Sequence, residues 1–172
     1  MAADMTRRAV LAATAALPLL VTGCKGVAAF DALPKPPPDV VLLRAAISAE
    51  QQMIARYDAA IRVLRGGDAD LASVLAPLLA EHREHLARLR SRLIVPAGSA
   101  AAARRPRGPA RPRLPAGPDQ VIAYLQVAEQ NASTWLLPRV LAAPASLAEL
   151  LASIAASEAT HVPVLRSARR AR

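Results

Sequence analysis

Four stretches of this chain carry apolar residues at helical spacing, and each stripe is interrupted near its middle by ionisable side chains. From Asp39 to Arg65, the residues Leu43, Ile47, Ile54, Tyr57, Ile61 and Leu64 recur at intervals of three, four or seven, and Glu50 fills the position missing from that face. A second stripe, from about Asp70 to Val95, holds Leu71, Leu75, Leu78, Leu89 and, half a step aside, Leu86 and Leu93, with His82 and His85 in its middle. A third follows Asp119 through Ile122, Leu125, Ala132 and Leu136 around Glu129. The fourth runs through Leu147, Leu151, Ile154 and Leu165 around Glu158 and His161. Burying one unpaired carboxylate costs several kcal/mol, against a whole-domain stability of about 5–15 kcal/mol. Four helices placing such groups at one level implies that the groups neutralise one another or share a metal ion.

The connections between the stripes set the topology. Gly66-Gly67 ends the first helix through ready access to positive φ, and Asp68 or Asp70 caps the second. A turn this short makes the first two helices antiparallel. Pro77 is expected to kink the second helix or delay its start, Pro138 and Pro144 to bound or bend the end of the third, and Pro163 to disturb the last turn of the fourth. Asp119 is placed to cap the third helix, and Ser146-Leu147-Ala148-Glu149 fits a capping box for the fourth. Residues 96–118 break every periodicity and are rich in proline, glycine and alanine, with Arg104, Arg105, Arg107, Arg111 and Arg113 and no acid among them until Asp119. At about 3.3 Å per residue they reach further than the roughly 39 Å of a 26-residue helix. The expectation is an all-α four-helix bundle over residues 39–168, with a long crossover between helices 2 and 3. Composition agrees: 41 residues are Ala and only Phe30, Tyr57, Tyr124 and Trp135 are aromatic, so the core is aliphatic and closely spaced. Tyr57, Tyr124 and Trp135 are read as packing residues. Cys24 is the only cysteine, which excludes a disulfide scaffold, and no run of about 18 apolar residues marks a membrane-spanning helix.

The amino end reads as an address. Arg7 and Arg8 precede an uncharged run from Ala9 to Val21, the pattern of a secretory signal. Val21-Thr22-Gly23-Cys24 resembles the bacterial lipobox, which implies lipidation of Cys24, removal of residues 1–23 and attachment to the outer face of the cell membrane. Thr6-Arg7-Arg8-Ala9-Val10-Leu11 also resembles a loose twin-arginine signal. Residues 24–38, with Pro34-Lys35-Pro36-Pro37-Pro38, form a semi-rigid tether.

Over residues 39–168 the chain resembles the ferritin-like superfamily, in particular exported lipoproteins of high-GC bacteria that carry a ferritin-like domain of unassigned function. That family builds a di-metal site from one Glu on each of two helices and Glu-x-x-His on each of the other two. Glu158-Ala159-Thr160-His161 matches the motif, and Glu50 and Glu129 fall where the lone glutamates belong. The second helix departs from it: in Glu81-His82-Arg83-Glu84-His85, alignment on His85 puts His82 in the glutamate position, with Glu81 one residue away as a substitute. The resemblance implies Glu50, Glu81 or His82, His85, Glu129, Glu158 and His161 as ligands to iron, zinc or manganese, and a metal-dependent oxidoreductase if the chain is an enzyme at all. The departure leaves three core glutamates where the family has four, so a mononuclear site and a metal-free hydrogen-bonded network both stay open.

The formal net charge is +9, carried by residues 96–118 and by Arg166, Arg169, Arg170 and Arg172. For an anchored protein such charge suits an anionic envelope polymer, lipid headgroups or a protein partner. The alternative function is therefore a metal-free helical module that binds such a partner through its basic loop and tail; oligomers are compatible with either reading. Nucleic acid is disfavoured by the scarcity of aromatics for base stacking.

Overall fold

The computed structural model describes residues 35–98 and 108–171. Cys24, the residues read as an export signal and most of those read as a tether lie outside the described residues, as does the middle of the basic segment. The described chain forms four helices and no strand: α1 (Pro38–Leu64), α2 (Ala69–Arg92), α3 (Pro118–Ala142) and α4 (Ala145–Arg170). It is an all-α four-helix bundle.

Two apolar clusters fix the direction of each helix. One gathers Met53 to Leu64 of α1, Leu71 to Leu79 of α2, Val121 to Ala128 of α3 and Leu165 of α4. The other gathers Leu43 and Ala46, Leu89, Leu136 and Leu147 to Ala155. The first cluster thus takes the C-terminal halves of α1 and α4 and the N-terminal halves of α2 and α3, so α1 and α4 run one way and α2 and α3 the other. α2 ends at the second cluster and α3 begins at the first, so the connection between them crosses the length of the bundle. Leu114, near its far end, packs against the first cluster. α1 with α2 and α3 with α4 form two close hairpins, which meet more sparingly along α1–α3 and α2–α4.

Several helix ends differ from the sequence expectation. Asp68 caps α2, accepting a hydrogen bond from the Leu71 amide at 3.1 Å. Gly66 and Gly67 do form the turn, but neither enters the left-handed region; the chain turns from a right-handed Arg65, and the Gly67 amide donates to the Leu64 carbonyl at 3.0 Å. Positive φ is used instead at Gly117 (87°), which precedes Pro118 and is itself the cap residue of α3. Asp119 therefore sits inside the first turn, where its charge favours the helix dipole, and is not the cap. The capping box at Ser146 does not form. Pro144, with its fixed φ, already directs the chain into α4, and its carbonyl accepts the amides of Leu147 and Ala148 at 2.9 and 2.8 Å. α2 stops at Arg92 and not near Val95: Leu93 turns extended, and Pro96 disfavours helix at residue 95.

α2 does not start late, and Pro77, Pro138 and Pro163 all lie inside assigned helices. Each is exposed, as are Ser73, Thr134 and Ala159 four residues before, so the carbonyls that lose a helical donor are open to water. The buried face of α1 is also shifted from the predicted one. Ala46, Met53 and Ala60 occupy its centre, while Ile47 and Ile54 flank it half-buried. In α3, Ser133 is buried and Ala132 is half-buried.

Candidate metal centre

Between the two apolar clusters lies a polar layer. Glu50 from α1, His82 and His85 from α2, Glu129 from α3, and Glu158 and His161 from α4 are all buried there. Helical spacing puts them at this level: each occupies a seam position of its own helix, and the seams converge on the bundle axis.

His82 is the hub. Its Nδ1 lies 2.9 Å from Glu50 Oε2 and its Nε2 lies 2.9 Å from Glu129 Oε1. His85 Nδ1 is 3.3 Å from Glu50 Oε1, at an angle that makes no hydrogen bond. His161 Nδ1 is 3.2 Å from Glu129 Oε1, and the Tyr57 hydroxyl donates to that same oxygen at 2.5 Å. The His82 ring also packs edge-on against those of His85 and His161, with centroids 5.9 and 5.2 Å away.

Glu81 does not join the buried cluster. Successive helical residues are about 100° apart, so with His82 in the seam Glu81 points to the α2–α4 edge, where its side chain is 48% exposed. There its Oε2 lies 3.0 Å from His161 Nε2 and accepts from the Ser157 hydroxyl at 2.8 Å. It thus meets the outer nitrogen of His161 from the edge of the seam. Glu158, the glutamate of the Glu-x-x-His motif, shares with Glu50 a small cavity of about 10 Å³ bounded by Ala49, Leu89, Ala132 and Ile154.

Charges in the layer are strongly coupled. Burial disfavours the charged form of His82, but hydrogen bonds to Glu129 and Glu50 more than offset it, and its pKa rises to about 10. Glu129, although buried, is held down to about 2 by His161 and His82. Glu50 is likewise buried yet lowered by the His82 and His85 rings, and His161 is raised against its own burial by Glu129 and Glu81. Glu81 is lowered by its bond to His161. Glu158 goes the other way: burial, then the charges of Glu50 and Glu129, push it up to about 8, so it is neutral at pH 7. Burial and Glu129 together keep the Tyr57 phenol protonated.

These hydrogen bonds leave four buried atoms of the layer without a hydrogen bond: Glu50 Oε1 and His85 Nδ1, which lie 3.3 Å apart, and Glu129 Oε2 and Glu158 Oε2. Two groups have ligand atoms mutually within 4.8 Å, Glu50 with His82 and His85, and His82 with Glu129 and His161. The buried Glu and His side chains can hold a metal ion. Sequence reading places Tyr57 in the seam as a packing residue; it also donates to a candidate ligand, and its position two turns after Glu50 on one face is the only sequence sign of that. Ser157, one turn before His161, carried no such sign. No family model, curated protein or solved structure matches the chain.

Proposed function

We propose that this bundle is a transition-metal-binding module of ferritin-like type, carried outside the cell membrane by a lipid on Cys24. The supporting observation is the set of four buried polar atoms without a hydrogen bond, contributed by all four helices. A native interior satisfies nearly all of its buried polar groups, and these four belong to two carboxylates, an imidazole and a protonated carboxyl that cannot all pair with one another. Two histidines and a carboxylate form each candidate group, a nitrogen and oxygen donor set that suits iron, zinc or manganese. A bound ion would supply Lewis acidity and, for iron or manganese, a redox couple; the chain supplies a buried set of donors.

One observation favours the second reading, a metal-free module. His82, protonated between Glu50 and Glu129, already neutralises much of their charge. Metal analysis of the purified protein separates the two. Uptake of about one or two equivalents, with a melting temperature that rises with ion concentration as stability gains about 2.7 kcal/mol at a hundredfold excess over Kd, supports the first. Glu158→Ala and His161→Ala should each lower uptake while helical content is kept, since His161 belongs to one of the two candidate groups and Glu158 borders Glu50. Wild-type protein that takes up no iron, zinc or manganese leaves the hydrogen-bonded module. The anchor is tested separately: Cys24→Ala should release the protein from the membrane fraction or leave it unprocessed, and unchanged attachment and mobility would remove that part of the proposal.

A further inference from the structure

We propose that His82 bridges two metal ions, one on each ring nitrogen, instead of serving a single ion. This rests on the metal-binding reading above and goes beyond it in the nature of the centre. The two candidate groups share His82 and nothing else. They approach it from opposite sides: Glu50 Oε2 faces Nδ1 at 2.9 Å, and Glu129 Oε1 faces Nε2 at 2.9 Å. The two nitrogens of one imidazole diverge, so no single ion can use both. Each side has its own second histidine, His85 within 3.3 Å of Glu50 and His161 within 3.2 Å of Glu129. Each half is therefore a complete set of one carboxylate and two imidazole nitrogens, a set found with open positions in non-haem metal centres.

Charge gives the same answer. A carboxylate-rich pair site sets four negative charges against two divalent ions. Here the core supplies three glutamates, Glu50, Glu129 and Glu158. His82 bound through both nitrogens is an imidazolate and provides the fourth. Its two ring protons and the carboxyl proton of Glu158 leave for solvent as the pair of ions loads, so the charge change is balanced by proton release. The histidine that breaks the Glu-x-x-His pattern on α2 then has a positive role: it exchanges a carboxylate bridge for an imidazolate bridge, with ions roughly 6 Å apart given metal–nitrogen bonds of about 2.0–2.1 Å.

Copper(II) is the probe, because it favours imidazole and its unpaired spin reports the bridge. The full chain, stripped with chelator, is titrated with copper(II) while uptake and electron-spin resonance are followed. A bridged pair binds two equivalents, and the spin count rises to the first equivalent and then falls back as the second loads, since the ring couples the two spins. His161→Ala should bind one equivalent on the Glu50 side with an ordinary uncoupled signal, and His85→Ala one on the Glu129 side. His82→Ala should abolish the coupling; circular dichroism of each variant confirms that the bundle is folded. Saturation of the wild type at one equivalent, or two equivalents with the full uncoupled spin count, overturns the bridge and leaves metal binding intact. No uptake at all overturns both.

Discussion

The metal-free protein should lose stability steeply between pH 6.5 and pH 8. His82 is raised from 6.5 to about 10, so the folded state keeps a proton that the unfolded chain releases above pH 6.5. Its contribution is fully present below 6.5 and is lost as pH rises towards 10. Glu158 is raised from 4.5 to about 8, so folding also retains a carboxyl proton that the unfolded chain gives up above 4.5, and stability falls through that whole interval. Glu129, lowered to about 2, has the opposite sign; its contribution is present above 4.5 and lost as pH falls towards 2. Between 6.5 and 8 the folded state therefore holds two more protons than the unfolded one. Each is worth about 1.4 kcal/mol per pH unit, so the window costs about 4 kcal/mol out of a total of about 5–15 kcal/mol. His161, raised as well, acts in the same direction. For a domain of this size that corresponds to a drop of about 12 °C in Tm, with the maximum near pH 5. Circular-dichroism melts at half-unit steps from pH 4 to pH 9, with chelator present, measure it, and Glu158→Gln should remove about half of the slope. A Tm flat to within two or three degrees (roughly 1 kcal/mol) from 6.5 to 8 would refute the charge arrangement argued from the His82 and Glu158 environments.

Tyr57→Phe removes a buried donor to Glu129 Oε1 while His82 and His161 still serve that oxygen; the expected loss is about 1.5 kcal/mol, at the low end for a bond to a charged acceptor, read by denaturant unfolding. Gly117→Ala forces a side chain onto φ 87° and should cost about 1 kcal/mol or more, whereas Gly67→Ala, outside the left-handed region with open space at its Cβ, should be neutral or stabilise by about 0.4–1 kcal/mol. Leu89→Ala, at a fully buried position of the second apolar cluster, should cost about 2–5 kcal/mol, while Leu141→Ala, 90% exposed, should stay within about 0.5 kcal/mol; similar losses at both sites would contradict the burial pattern.

The bundle was legible because four helices buried along one side leave a period of 3.6 in the sequence, and because the segment between α2 and α3 is too long and too poor in apolar residues to be a tight turn. What periodicity gives less well is the exact centre of a face. Large aliphatic residues dominate an apolar stripe, so periodicity places Ile47 and Ile54 in the seam of α1, whereas Ala46 and Ala60 occupy it. Alanine is informative only once the neighbouring helix is in place, since it marks where two backbones approach closely. The helix starts that differ from the sequence expectation share one cause as well. Ser146 and Asp119 have the right side chains for caps, but Pro144 and the Gly117-Pro118 pair fix the backbone earlier in the chain, and φ restriction acts before a side-chain hydrogen bond can compete.

The polar layer was legible for a different reason: an ionisable residue in an apolar stripe is expensive, so its presence on four helices at one level carries information that a single motif lacks. Spacing along one helix, however, says nothing of which partner a side chain meets on another. Glu158 and His161 form the one full match to Glu-x-x-His, yet they serve different neighbours. His161 reaches Glu129 and Glu81, while Glu158 borders the cavity beside Glu50. The residue that organises the layer is His82, the one at which the motif breaks down. An imidazole has two divergent nitrogens where a carboxylate has two oxygens close together, so at the bundle axis it can join α1 to α3 across the full width of the core. That reach lets one side chain contact both lone glutamates, and it is why the departure from the motif, and not the match, sets the chemistry of the centre.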